Sequence, residues 1–205
     1  MKKLMFAFAT VLAFAATISL TSCGEDACAK VECGTHGTCN AGTCDCAAGY
    51  EKDTNGRCDL ITSTKYVGNY TATEYDQVTG AVVKVGLLNS KGKDSLDASG
   101  KVYLSSSYTV AAKTVSTNIA KVILEDLGSY RCINAAGKGV KAQVEATVKG
   151  DSLFIDYKEC NNYWKGKGIK SGNTITISYT NTYPPDLTKL GTTVTDKNKT
   201  ILVKK

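Results

Sequence analysis

One histidine, His36, and one tryptophan, Trp164, stand in a chain of 205 residues that also has only two prolines and two methionines. A single histidine excludes a two-histidine metal site and removes the commonest general base from everywhere but its own neighbourhood. No nucleophile elbow, phosphate-binding glycine loop or paired-carboxylate motif is present. The chain therefore reads as a non-enzyme without a cofactor. A wholly disordered chain is also excluded, because 42% of the residues are hydrophobic. What the sequence does have is cysteine, nine in all, as expected where thiols are oxidised rather than kept reduced. The protein is expected to be exported.

Lys2 and Lys3 precede an uncharged apolar run from Leu4 to Leu20. This is the pattern of a cleaved signal peptide, shorter than the roughly 20 apolar residues that span a bilayer. The run closes on Leu20-Thr21-Ser22-Cys23, which resembles the bacterial lipobox, so residues 1–22 are expected to be a lipoprotein signal peptide and Cys23 the lipidated residue. Cysteine parity agrees: nine thiols cannot all pair, and one held as a thioether leaves eight. More than one acyl chain on Cys23 would anchor the protein stably to a membrane. Residues 23–27 form the tether, and its acidic start, Gly24-Glu25-Asp26, resembles the export signal of Bacteroidetes-type outer-membrane lipoproteins. That resemblance implies a lipid-anchored protein of the cell outer membrane, on its periplasmic or cell-surface face.

Six cysteines fall between Cys28 and Cys58 with the spacing C-x4-C-x5-C-x4-C-x-C-x11-C. A segment this short, with few apolar residues beyond Val31 and Tyr50, cannot build a core and needs cross-links. Spacing alone leaves 15 connectivities open. The spacing, Gly37 before the third cysteine and Gly49-Tyr50 in the last loop together resemble an epidermal growth factor-like module over residues 28–59. That resemblance implies the pairs Cys28 with Cys39, Cys33 with Cys44, and Cys46 with Cys58. Cys132 and Cys160 are then left to bond to each other. No metal is expected: zinc knuckles are absent, and the acidic cluster of calcium-binding members is incomplete, with Ala27 directly before Cys28. His36, in Gly34-Thr35-His36-Gly37, reads as a turn residue.

Beyond residue 61 short alternating runs of Thr, Ser, Tyr, Val and Lys are separated by Gly, Asn and Asp, the pattern of strands and tight turns. Strands are expected at 66–75, 81–88, 101–110, 118–125, 130–134, 141–148, 152–157, 163–169, 174–179 and 200–204, joined largely as antiparallel hairpins. Residues 62–205 would close as an up-and-down barrel or pack as a β-sandwich. Tyr66-Val67-Gly68-Asn69-Tyr70 resembles the aromatic-x-Gly-x-aromatic opening of the lipocalin superfamily, which implies a barrel with an aromatic plug at its base. The run from Gly166 to Ile177 is similar to small lipocalin-like lipoproteins of Bacteroidetes-type bacteria.

Residues 24–61 carry three basic and seven acidic side chains, net −4, and residues 62–205 carry 20 and 12, net +8. Arg131, Lys138, Lys141, Lys149, Lys158, Lys165, Lys167 and Lys170 gather in the second part, a charge that suits acidic glycans, lipid head groups or plain solubility. Nucleic acid does not suit an exported lipoprotein. Tyr163 and Trp164, next to Asn161 and Asn162, are the candidate ligand-binding residues, and as strand neighbours they should face opposite sides. The expectation is an all-β, lipid-anchored binding or adhesion protein taking a small apolar ligand or a surface partner. The alternatives are a structural spacer that binds glycan, or a hydrolase.

Overall fold

The structure, a computed structural model, describes residues 27–205 except 88, 90–92, 94, 134–138 and 184–192. The expected signal peptide and Cys23 lie outside the described residues.

The cysteine-rich unit is built on a hairpin of β1 (Gly37–Asn40) and β2 (Thr43–Cys46), followed by the short pair β3 (Tyr50–Glu51) and β4 (Leu60–Ile61). Its disulfides are Cys28–Cys39, Cys33–Cys44 and Cys46–Cys58, with S–S distances of 2.04, 2.00 and 2.01 Å. Cys33, Cys44 and Cys58 are its buried centre, with Val31 against them, so sulfur supplies the core that apolar side chains cannot. The His36 ring stacks on Tyr50 at 3.7 Å. Ala27 lies beside Gly42, at the tip of the hairpin, whereas the hairpin's other end runs through Ala47 into Gly49 and Tyr50. The chain therefore enters this unit at one end and leaves it at the other.

A 3-10 turn, Thr62–Tyr66, leads into the larger domain. Its strands are β5 (Gly68–Asp76), the short β6 (Val82–Val83), β7 (Val85–Gly86) and β8 (Leu104–Ser105), then β9 (Tyr108–Val115) and β10 (Asn118–Glu125). They continue with the short β11 (Arg131–Ile133) and β12 (Gly139–Lys141), then β13 (Gln143–Lys149), β14 (Ser152–Glu159), β15 (Asn162–Ser171), β16 (Thr174–Tyr183) and β17 (Val194–Lys204). Eight of them, β5, β9, β10 and β13 to β17, pair antiparallel in sequence order, and β17 returns to β5 with Leu202 opposite Ala72. That pairing closes the sheet. The fold is an all-β barrel, and the sandwich alternative is ruled out because closure leaves no second sheet to pack against.

At the base lie the tight turns at 116–117, 150–151 and 172–173, the 3-10 turn and the cysteine-rich unit. Tyr66 and Tyr70 are fully buried there; Tyr70 donates to the Tyr66 carbonyl at 2.6 Å and Tyr66 to the Gly150 carbonyl at 2.9 Å. Between them Gly68 takes φ +147°, with Lys204 passing where a Cβ would stand. The cysteine-rich unit seats on this end. The Thr62 amide donates to the Gly49 carbonyl at 2.9 Å, and the Lys65 ammonium bridges Glu51 of that unit and Asp151 of the barrel, 2.8 Å from each. The described parts of the long connections 77–107 and 126–142 lie at the opposite end, the mouth, where Ser129 donates to the Gly86 carbonyl.

Several expected strands shift. Residues 66 and 67 belong to the turn, fixed by Thr64 donating to the Ile61 carbonyl and Val67 to Thr64. The 81–88 and 101–110 runs each divide: β6 caps the upper part of β5, β7 pairs with β8, and the barrel strand starts only at Tyr108. The last strand begins at Val194 rather than 200, because its upper inward positions are Asn198 and Thr200 and show no apolar alternation.

Candidate functional site at the barrel mouth

Inward side chains change character along the barrel axis. In the lower half Leu153, Ile175, Ile177 and Leu202 fill the interior, with Val110, Val122 and Val144 further along their strands from the basal turns. In the upper half the same alternation brings polar groups together. Glu74 of β5 faces Thr200 of β17 in register, and Tyr108 of β9 and Tyr179 of β16 converge on it. Tyr179 donates to Glu74 Oε1 at 2.6 Å, while Tyr108 and Thr200 donate to Oε2 at 2.8 and 2.5 Å. Tyr108 in turn accepts the Gly128 amide at 2.8 Å.

Burial pushes the Glu74 carboxyl above its ordinary range, and the three hydroxyls, which favour the carboxylate, offset this only in part. The same burial, reinforced by the Glu74 charge, pushes Tyr108 and Tyr179 well above the usual phenol range. Tyr179 fits because Gly166 stands opposite it: a Cβ there would lie 2.4 Å from the Ser178 carbonyl and 2.5 Å from the Tyr179 Cβ.

Above this layer the mouth carries a second one. Tyr130 follows the turn Leu127–Ser129, and its loop is pinned to the tight β14–β15 turn by the Cys132–Cys160 disulfide, S–S 2.03 Å. Cys160 and Asn161 both have positive φ, the signature of a two-residue type I′ hairpin. So placed, Tyr130 accepts from Asn198 Nδ2 at 3.1 Å and donates to Asp196 at 3.4 Å, while Tyr183 donates to the same carboxylate at 2.9 Å. The Tyr130 ring meets Trp164 edge-on at 6.0 Å and Tyr183 at 5.9 Å.

Among the described residues three buried side-chain polar atoms have no hydrogen-bond partner: Ser63 Oγ in the basal turn, Trp164 Nε1 and Asn181 Oδ1. Trp164 and Asn181 lie opposite each other on β15 and β16, beneath the mouth. An unpaired buried donor or acceptor costs about 1–3 kcal/mol.

Of the two expected ligand-binding residues, Trp164 enters this cluster and Tyr163 does not. Tyr163 points outward and donates to Asp156 at 2.8 Å. Glu74, Tyr130, Asn181, Tyr183, Asp196 and Asn198 were not anticipated; apart from Tyr130, which sits on a connection, their only trace in the sequence is a polar residue at an inward strand position, unreadable without the register. The expected basic cluster separates: Lys141 pairs with Asp126 at 3.1 Å, Lys165 and Lys167 share the outer wall, and Lys138 is outside the described residues. Among the described residues, one group of metal-ligand type forms, Cys132, Glu159 and Cys160, and both of its sulfurs are consumed by the disulfide.

No protein-family model matches the chain, and neither do any curated protein or solved structure.

Proposed function

We propose that this is an exported, non-catalytic binding protein, lipid-anchored through Cys23, that takes a small ligand at the barrel mouth. One observation carries the reading: Trp164 Nε1 and Asn181 Oδ1 are buried without a described partner under a rim of tyrosine, asparagine and aspartate. A buried donor and a buried acceptor on paired residues of neighbouring strands suit a ligand bearing hydroxyl or amide groups, and the tyrosine rings suit its apolar faces. The filled lower half argues against a long acyl chain along the axis and narrows the apolar-ligand expectation to a compact molecule. Tyr130, carried on a connection rather than on a barrel strand, is the group that would move aside.

The seating of the cysteine-rich unit supports its role as a rigid base. The chain enters at the end of that unit far from the barrel, so an anchor at Cys23 would hold the mouth away from an outer-membrane surface.

Because Trp164 is the only tryptophan, its emission reports on the site directly. Titration with monosaccharides, amino sugars and small amphiphiles should give a saturable spectral change for at least one class, weakened by Asn181→Ala. A spectrum that no compound moves, with no adduct in native mass spectrometry, would overturn the proposal.

A further inference from the structure

Outward positions on β14 to β17 and β5 form rows around the barrel wall. One runs Phe154, Lys167, Ser178, Lys199, Tyr75 and the next Asp156, Lys165, Thr180, Lys197. Four exposed lysines thus frame Ser178 and Thr180, spaced about 9.6 Å across the strands and about 6.8 Å along them. None of the four forms an ion pair with a described residue; Lys167 instead lies over the Phe154 ring at 5.5 Å. The only carboxylate in the two rows, Asp156, already accepts the Tyr163 hydroxyl. Three other barrel lysines are each paired with a carboxylate: Lys113 with Glu125, Lys121 with Glu145, Lys141 with Asp126.

Four like charges on one sheet face repel one another, an arrangement that a bound polyanion relieves. We propose that this wall binds an acidic polysaccharide, with the lysines on its anionic groups, Ser178 and Thr180 on its hydroxyls, and Phe154 and Tyr75, at the two ends of one row, against sugar rings. The aromatic ends and the hydroxyls between the cations favour a polysaccharide over phospholipid. The wall also lies along the side of the barrel, whereas the chain enters below its base. This surface is separate from the mouth and does not depend on what the mouth binds.

The test uses full-length protein with dextran sulfate, neutral dextran and vesicles containing one-fifth phosphatidylglycerol as probes, at physiological salt. Dextran sulfate should bind and neutral dextran should not. Replacing Lys165, Lys167, Lys197 and Lys199 together by Gln should weaken binding roughly tenfold or more. A control with the same net charge, Lys52, Lys84, Lys101 and Lys149 to Gln, should change it by less than about twofold. Phe154→Ala should weaken it about threefold, the size expected of a stacking contact. Far-UV circular dichroism of each variant confirms that the barrel is retained. Equal losses in the two quadruple variants, or no binding to dextran sulfate, would overturn the proposal. So would vesicle binding that exceeds polysaccharide binding and falls with the same lysines, which would make the wall a lipid contact.

Discussion

Glu74 and Tyr179 lie 105 residues apart in the chain, and the phenol donates to the carboxylate at 2.6 Å inside the barrel. The pair marks the level at which the interior turns from apolar to polar, and it ties the first barrel strand to the seventh.

Stability should follow the ionisation of Glu74. The folded chain holds this proton to higher pH than the unfolded chain, so the contribution is greatest below the ordinary value of 4.5 and is lost as pH rises through the folded value. Each tenfold difference in acidity corresponds to about 1.4 kcal/mol. Glu74→Gln keeps an acceptor for two of the three hydroxyls and removes the charge. Urea melts across pH 4 to 8 should show the wild type losing stability relative to this variant as pH rises. Parallel curves would refute the assignment.

Gly166→Ala should destabilise by about 1–3 kcal/mol, because its Cβ would collide with the Ser178 carbonyl and the Tyr179 Cβ at distances no real contact reaches. Ordinarily a glycine in a strand is weakly unfavourable, so a neutral or stabilising result in thermal melts would mean that Tyr179 can retreat from Glu74 without cost.

Trp164→Phe removes an unpartnered buried donor as well as part of a ring. The relief of about 1–3 kcal/mol and the cavity created oppose each other, so the free protein should stay within about 1 kcal/mol of wild type. Ligand binding at the mouth, followed by calorimetry since the fluorophore is gone, should fall. A loss of several kcal/mol in stability would show that packing alone fixes this residue.

Breaking Cys132–Cys160 by double replacement with Ser should cost about 3–4 kcal/mol for a separation of 28 residues. It should also release the Tyr130 connection. Hydrogen exchange is expected to quicken in the described parts of 126–142 and to stay unchanged in the basal turns.

Lys65→Met should loosen the seat of the cysteine-rich unit while leaving both parts folded. The ammonium is partly buried between Glu51 and Asp151; burial lowers its pKa, but the bonds to those two carboxylates more than offset this and leave it raised. Asp151 is largely exposed, which limits its pairing with Lys65 to about 1 kcal/mol or less in a double-mutant cycle with Asp151→Asn. Small-angle scattering should report a broader distribution of shapes. An unchanged profile would assign the seat to the Thr62–Gly49 bond and the Gly49–Ile119 contact.

Sequence alone carried the features set by local chemistry and parity. Cysteine spacing marked a unit too poor in apolar residues to fold without cross-links, and its bonds in the structure are those the resemblance implied. Period-two runs bounded by Gly and Asn marked an all-β domain, and Tyr66-Val67-Gly68-Asn69-Tyr70 marked the base of a barrel. Closure depended on β17 finding β5 across the whole domain, a contact with no local signature. The mouth depended on register: Glu74, Asn181, Asn198 and Thr200 read as ordinary polar strand residues until pairing turned them inward. The wall lysines came from two segments thirty residues apart that only β16 brings side by side. A strand sequence fixes which residues share a face, whereas the pairing of strands decides which faces meet and what lies within the closed sheet.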